Sequence, residues 1–165
     1  MNLKIPIKTR ADKPSSGNQK VLSVVYDLKD GLPSDFPTAD TVVSADWAVP
    51  TATPATNDVT FTWVPTTNRK FKNNGGCQVS NGTGPEEAIK ISAPENIKVT
   101  VTYKFAGAYA ADKIRELDVG DAESKMASDT NKDSEYTLTN TTAAKEVSIK
   151  VNGVKLLKIE TAKAN

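Results

Sequence analysis

Apolar and polar residues alternate through much of the last third of the chain. The clearest case places Ile97, Val99, Val101, Tyr103 and Phe105 in alternation with lysines and threonines. A period of two residues is typical of a β-strand with one buried face and one solvated face. This segment therefore predicts a strand with a hydrophobic side and a lysine-rich polar side.

Similar runs occur along most of the chain after residue 20. Many short strands with few helices predict an all-β fold, namely an antiparallel β-sandwich or jelly roll. Helical periodicity is weak. Ala108–Leu117 is the best helical candidate by propensity, but a loop followed by a strand is preferred there. The further predicted strands are Val21–Tyr26, Thr41–Ala45, Val59–Val64, Ile89–Ser92, Ile114–Val119, Glu135–Asn140, Glu146–Val151 and Leu156–Glu160.

Turn-forming residues separate these runs. Residues 73–76 and 81–85 are rich in Asn and Gly, which tolerate positive φ angles. The pair Asn152-Gly153 predicts a type I′ hairpin turn, because both central positions of that turn need positive φ. The Pro-, Thr- and Ala-rich residues 27–56 are predicted to form long surface loops.

Composition narrows the function classes. The 165 residues carry 21 basic and 20 acidic side chains, so no overall charge attracts nucleic acid. No apolar run predicts a membrane span or a signal peptide. Residues 1–20 are predicted to be a linker or N-terminal extension, and residues 21–165 a single binding domain. We expect a monomeric module from a larger extracellular or cell-surface protein.

Common catalytic arrangements are missing from the sequence. The chain has no histidine, so it cannot form a Ser-His-Asp triad or a Cys-His pair. The single Cys77 is predicted to be a small buried hydrophobic residue rather than a nucleophile. Paired carboxylates are available, but a short chain with 6% aromatic residues is a poor candidate for a glycosidase cleft. The sequence therefore predicts a protein that is not an enzyme.

One acidic segment has the alternating oxygen ligands of a calcium loop. It lacks the glycine and the final glutamate of the EF-hand pattern, where Ser134 and Asn140 stand. A solvated polar loop is the preferred interpretation, and calcium binding is the alternative. Zinc and iron are excluded because histidine and cysteine pairs are lacking. We expect no required cofactor, and a structural calcium ion is the one candidate. The candidate ligands are Asp129, Asn131, Asp133 and Glu135.

Basic side chains in predicted loops are the best candidates for binding an anionic ligand. Arginine offers a bidentate fork to a carboxylate and lysine a point charge, although any one lysine is more often a solvated surface charge. Lysines on the polar strand faces are expected to be solvated and to discourage edge pairing. The loop candidates are Arg69, Lys70, Lys72, Lys113, Arg115 and Lys125; the strand-face lysines are Lys98, Lys104, Lys150, Lys155 and Lys158.

The two tryptophans divide into two roles. Trp63 alternates with Phe61 in a predicted strand and is expected in the core. Trp47 stands near a proline-rich loop, where it is either an exposed sugar platform or an anchor for the loop.

About residues 68–160 resemble the β-sandwich modules attached to bacterial pectate lyases and related polysaccharide-degrading enzymes. The resemblance implies a non-catalytic module that brings an attached catalytic domain to its substrate. In one such group, lysines rather than aromatic residues hold de-esterified homogalacturonan. The segments that look alike are Ile97-Lys-Val-Thr-Val-Thr-Tyr103, Arg115-Glu-Leu-Asp-Val119, Glu135-Tyr-Thr-Leu-Thr139 and Lys155-Leu-Leu-Lys-Ile159.

Two other functions stay open at this stage. One is a structural or adhesive cell-surface domain, strengthened by an internal Lys–Asn crosslink from Lys98 or Lys104. The other is a module for neutral glucan or xylan that uses Trp47 and Tyr109 as platforms. The preferred function is binding of an acidic plant polysaccharide, with no nucleic acid and no membrane as partner.

Overall fold

The computed structural model describes residues 19–165, and this part of the chain forms twelve β-strands and no helix. No segment of it is therefore a helix long and apolar enough to cross a membrane. All the strand pairs are antiparallel, which confirms the predicted fold class. The predicted linker at 1–20 falls almost wholly outside the described residues. The strands are β1 (Val24–Asp27), β2 (Thr41–Val42), β3 (Ala52–Thr53), β4 (Thr60–Trp63), β5 (Lys70–Asn73), β6 (Cys77–Val79), β7 (Glu86–Phe105), β8 (Glu116–Val119), β9 (Ala122–Lys125), β10 (Tyr136–Thr139), β11 (Ala144–Asn152) and β12 (Val154–Lys163).

The long strand β7 organises the fold. Up to Ser92 it pairs with β4 and β11, and from Ile97 onward it pairs with β10 and β12, apart from one further β11 contact between Ala144 and Ile97. The residues between these two sets include Pro94, which has no N–H group to donate to a neighbouring strand. The change of partners therefore falls where the backbone is least able to continue a regular ladder.

The two halves of β7 fold over each other. Val151 pairs with Glu86 at the start of β7, whereas Val154, three residues later, pairs with Phe105 at its end. Three residues span at most about 11 Å, but a straight strand as long as β7 would measure about 66 Å. The halves therefore belong to two layers, as in a β-sandwich.

We call these layers sheet I and sheet II. Sheet I has the strand order β4, the first half of β7, β11, β8 and β9. Sheet II has β10, the second half of β7 and β12, and the far side of β12 pairs with both β6 and β1. Strands β5 and β2 continue the sheet beyond β6, and β3 continues it beyond β1.

The predicted hairpin at Asn152-Gly153 is wrong. Strands β11 and β12 do not pair with each other, because β7 lies between them. Gly153 has a positive φ of 61°, as expected of a turn glycine, but Asn152 does not have a positive φ. The Asn152 side chain instead bonds the backbone, with Gly82 N donating to Oδ1 at 2.7 Å. The segment is an arch that carries the chain from sheet I to sheet II.

The core lies between the two sheets. It is built from the inward residues of the alternating strands, including Ile89 and Ile91 from the first half of β7 and Val99 and Val101 from the second. Full burial of each such side chain stabilises the fold by about 1.5–3 kcal/mol. Trp63 is also buried, as predicted.

The strand predictions differ from the structure at several points. The predicted strands Ile89–Ser92 and Ile97–Phe105 are parts of one strand. The segment 69–72, predicted as a loop, is mostly strand β5. Short strands β3, β6 and β9 are not predicted from the sequence, because so few residues carry too little periodicity. The preferred loop before β8 is confirmed, and residues 27–56 are mostly loop, with Phe36 and Val43 reaching the core.

Candidate functional site

A polar groove of about 400 Å³ lies on the outer face of sheet II. Three lysines, two side-chain amides and one carboxylate, that of Asp133, line it, and the end of β7 together with Ala106 and Gly107 closes one side. We call it the lysine groove and define it by Asn74, Gln78, Lys104, Lys132 and Lys155.

Strand register places three of these side chains in one row. Lys155 on β12 is the direct partner of Lys104 on β7 and of Gln78 on β6. The chain neighbours of all three residues along their strands are buried, whereas the three residues themselves are half-buried. Alternation of side chains along a strand therefore directs all three to the outer face.

In the described part of the chain, Lys104 and Lys155 lie directly opposite each other without a close ion-pair partner, although Asp133 is near enough to Lys104 for the Lys104 charge to lower the pKa of Asp133. Within residues 19–165, no carboxylate lies within 4.0 Å of either ammonium group. Like charges directly opposite each other on neighbouring strands destabilise a sheet by about 0.2–1 kcal/mol. An anion between the two ammonium groups would relieve this repulsion.

Edge protection does not explain this lysine pair. Lysines on an edge strand discourage pairing with another molecule, and this is the role expected of the strand-face lysines from the sequence. Strand β7 lies between β10 and β12, and β12 lies between β7 and β6, so both lysines are on interior strands. That expectation is wrong for Lys104 and Lys155.

Loops position the other members of the groove. Asn74 Nδ2 donates to Gln78 Oε1 at 2.6 Å, which turns the two amides toward each other. A Cβ on Gly76 would lie 3.0 Å from Lys155 Cγ, so only glycine lets the β5–β6 turn pack on the stem of that lysine. These contacts order the amides and the lysine before any ligand arrives.

Lys132 reaches the groove from the loop before β10. Its ammonium group lies 2.8 Å from Asp133 Oδ1. The Tyr136 hydroxyl accepts from Asn131 N at 3.2 Å and donates to Asn131 O at 3.1 Å, which fixes the base of the loop. The nearby Lys132 and Lys104 charges lower the pKa of Asp133.

The two predicted ligand-binding arginines are buried instead. Arg69 and Arg115 are 5% and 9% exposed. Arg69 Nε donates to Gly84 O at 3.0 Å, and Arg115 Nε donates to Ala108 O at 3.2 Å. Both guanidinium groups pack under loops beside the Asn152-Gly153 arch, so they support backbone rather than face a surface ligand.

The predicted loop lysines do not converge on one site. Lys70 and Lys113 are exposed, and Lys125 on sheet I pairs with Glu116 Oε2 at 3.0 Å. Lys72 on β5 is the direct partner of Gln78 and pairs with Asp40 at 3.5 Å. Of these lysines, Lys72 is the one that register places next to the lysine groove.

Trp47 is an aromatic anchor in the structure. Its ring is half-buried, with the Phe36, Trp63 and Phe71 centroids at 5.0, 5.6 and 6.4 Å. This packing favours the loop-anchor alternative over the sugar platform, whereas Tyr109 is 44% exposed.

The predicted calcium loop satisfies its own polar groups. Asn131 Oδ1 accepts from Asp133 N at 2.8 Å, and Asp133 is paired with Lys132. Asp129 and Glu135 are exposed, and the loop's carboxylates do not form a close group of three. Calcium binding here stays a prediction that the placement of these side chains does not strengthen.

A different acidic group lies on sheet I. Single carboxylate oxygens of Glu116, Asp118 and Glu123 lie within 4.8 Å of one another. Burial, followed by the charges of Glu116 and Glu123, raises the pKa of Asp118 to about 6. Asp118 Oδ1 is buried without a hydrogen-bond partner, and Lys125 neutralises part of the cluster. These oxygens are of the type that bind calcium or magnesium, but the nearby ammonium competes with a cation.

Cys77 has no catalytic surroundings. It is fully buried at the start of β6, and burial raises the pKa of its thiol well above the usual range. The prediction that Cys77 is a small buried hydrophobic residue is confirmed.

Sequence reasoning misses the two central residues of the lysine groove. It groups Lys104 and Lys155 with the solvated strand lysines, because nothing in the sequence shows that their strands are neighbours. The one feature of the sequence that could have pointed to these two lysines is that each stands at the end of a predicted strand, next to a predicted turn or loop.

Comparison with known proteins adds no assignment. No protein-family model matches the chain, and no curated protein shows significant similarity to it. The side chains of this molecule are therefore the only basis for assigning a function.

Proposed function

We propose that this protein is a non-catalytic carbohydrate-binding module that holds an acidic polysaccharide of the pectin type in the lysine groove. The observation that carries the proposal is the directly opposed pair Lys104 and Lys155, half-buried and with no carboxylate within 4.0 Å among residues 19–165. A uronate carboxylate between them would offset their repulsion and accept a charge-assisted hydrogen bond from each.

The rest of the groove suits a sugar. The side-chain amides of Asn74 and Gln78 are donors and acceptors of the kind that bind hydroxyl groups, and the groove is partly open to solvent. Its aromatic member, Phe105, is 4% exposed, so it offers no ring for stacking. Charge and hydrogen bonding are therefore the expected basis of recognition.

The role of such a module is proximity. Binding would raise the effective concentration of an attached enzyme on its substrate without any bond being made or broken in this chain. Because exposed ion pairs are individually weak and screened, we expect modest affinity that falls with salt. The same proposal places the protein outside the cell, where such polysaccharides occur.

Affinity electrophoresis tests the proposal directly. Gels containing polygalacturonate should retard the wild-type protein at low salt, and retardation should disappear at high salt. The double variant Lys104→Gln with Lys155→Gln should lose most of the retardation, because both central ammonium groups are removed.

A matched control separates local binding from net charge. Lys145 and Lys150 are exposed residues of β11 on sheet I, and replacing both with Gln changes the net charge by the same amount. This variant should keep wild-type retardation. If both double variants lost retardation equally, or if the groove variant lost none, the lysine groove would not be the binding site.

The same gels address the other functions. Retardation by neutral glucan or xylan alone would favour the neutral-glycan module. A structural domain would bind no sugar, and a Lys–Asn crosslink would lower its intact mass by the mass of one ammonia. In the structure, Lys98 Nζ donates to the backbone oxygens of Asn140, at 2.9 Å, and Thr141, which is a non-covalent contact.

A further inference from the structure

The lysine groove continues as a row of side chains beyond Lys155. Gln78 is the partner of Lys155, and Lys72 on β5 is the next partner of Gln78. Lys72 lies between the buried Phe71 and the exposed Asn73, so it faces outward with the others. Four neighbouring strands thus present Lys104, Lys155, Gln78 and Lys72 in one line.

This row runs perpendicular to the strands. Neighbouring strands lie about 4.8 Å apart, so the row from Lys104 to Lys72 is about 14 Å long. That length suits three or four units of an extended sugar chain rather than one isolated acid group.

The charges along the strands do not offer an equivalent path. Next to Lys155 along β12, Lys158 is already paired with Glu160 at 3.1 Å. The neighbouring hollow on this face holds Lys29 and Lys158 but also three carboxylates, those of Asp27, Asp30 and Glu135, so acidic groups outnumber basic ones there. A polyanion that ran along the strands would meet these three carboxylates, whereas one across the strands would meet Lys72 with the single carboxylate of Asp40.

From the row and its charges, we infer that the acidic chain lies across the strands of sheet II and that Lys72 is an outer subsite used only by longer ligands. This inference rests on the proposed function of the lysine groove. Without ligand, Lys72 is held by Asp40 at 3.5 Å, in an exposed pair that is individually weak. A uronate unit that reaches Lys72 would replace Asp40 as its partner.

Binding of oligogalacturonates from the dimer to the octamer, measured by calorimetry at low salt, tests the inference. Wild-type affinity should rise with length until the ligand spans the row, at about three or four units. Lys72→Gln should leave dimer affinity unchanged and lower the affinity of longer ligands by about two- to five-fold.

Two further variants make the result decisive. Lys158→Gln removes an ion-paired lysine from the same face and should change neither short nor long ligands. Asp40→Asn frees Lys72 and should strengthen the longer ligands selectively, which gives a second readout should Lys72→Gln fold poorly.

The outcomes distinguish failure of the Lys72 subsite from failure of the lysine groove itself. If Lys104→Gln with Lys155→Gln abolishes binding but Lys72→Gln keeps the full length dependence, the subsite is refuted and the groove stands. If Lys158→Gln flattens the length dependence instead, the chain runs along the strands. If no length of oligogalacturonate binds the wild type, the proposed function and the subsite both fail.

Discussion

At the scale of single residues, Lys155 is where the proposed binding role and folding stability conflict. It lies directly opposite Lys104 on the next strand, and within residues 19–165 neither ammonium group has a carboxylate within 4.0 Å. Such repulsion persists in a native sheet when another selective pressure maintains it, and ligand binding is the pressure that we propose.

Lys155→Gln should therefore stabilise the protein and weaken polyuronate binding. The glutamine keeps most of the stem that packs under Gly76 but removes the repulsion, so the free energy of unfolding should rise by about 0.2–1 kcal/mol. Urea unfolding at low salt measures the change. Lys158→Gln is the control, since it breaks the pair with Glu160 and should give no gain. A less stable Lys155→Gln protein would show that this repulsion is negligible.

At the scale of elements, the arch between β11 and β12 decides how the sheets connect. Its sequence, Asn152-Gly153, is a strong hairpin signal, but the tertiary environment overrides it. Asn152 is fully buried and its side chain bonds Gly82, while Gly153 N donates to Ser80 O at 3.1 Å. The local sequence specifies a turn here, and only contacts with distant loops specify which turn.

Gly153→Ala should be the most destabilising of three glycine substitutions. Gly153 combines a φ of 61° with a Cβ position 2.9 Å from Asn81 Oδ1 and 3.1 Å from Cγ of the buried Arg115, so backbone strain and crowding are both expected. Gly75 has a similar φ of 62° but open space, and Gly84 has neither constraint. We expect losses of about 2–3 kcal/mol at Gly153, about 1 at Gly75 and about 0 at Gly84.

Thermal or urea unfolding of the three variants checks this order. An equal loss at Gly153 and Gly75 would mean that the arch tolerates a methyl group and that backbone strain alone matters. A larger loss at Gly84 than at Gly153 would contradict the role given to the arch.

At the scale of the whole molecule, alternation in the sequence is enough to predict the all-β class and most strands. It places Ile97–Phe105 within β7 and ends it at the correct residue, because a period of two sustained over that length is specific to a β-strand. It cannot show that this strand continues backward past Pro94 into the opposite sheet. The lysine groove exists only because the second half of β7 pairs with β12. The local sequence pattern does not show this pairing, so it cannot predict that Lys104 and Lys155 lie opposite each other.

The composition of the whole molecule also decides how its stability responds to pH. The chain has no histidine, and its one thiol is buried with a raised pKa, so carboxyl groups are the side chains expected to titrate between about pH 4 and pH 7. Among these carboxyl groups, Asp118 has a pKa that is raised to about 6. Burial and the charges of Glu116 and Glu123 raise this pKa, while the Lys150 charge lowers it.

The direction of the effect follows from proton binding. Between the ordinary pKa of an aspartate and about pH 6, the unfolded chain loses the Asp118 proton while the native protein keeps it. Stability from this group is therefore present at low pH and is lost as the pH rises to about 6. Because the side chain is only partly buried, we expect a loss of about 1 kcal/mol rather than the full value of the shift.

Asp118→Asn should remove this loss. The variant should match the wild type at about pH 4 and exceed it by about 1 kcal/mol at about pH 7.5, measured by urea unfolding at both pH values. Asp112→Asn, at an exposed aspartate in the loop before β8, makes the same change in charge and should leave the pH dependence unchanged. A variant that was instead less stable at the higher pH would contradict this prediction. It would mean that the Asp118 carboxylate is a favourable partner of Lys150 or Lys125 and is ionised in the native protein at a lower pH than its raised pKa implies.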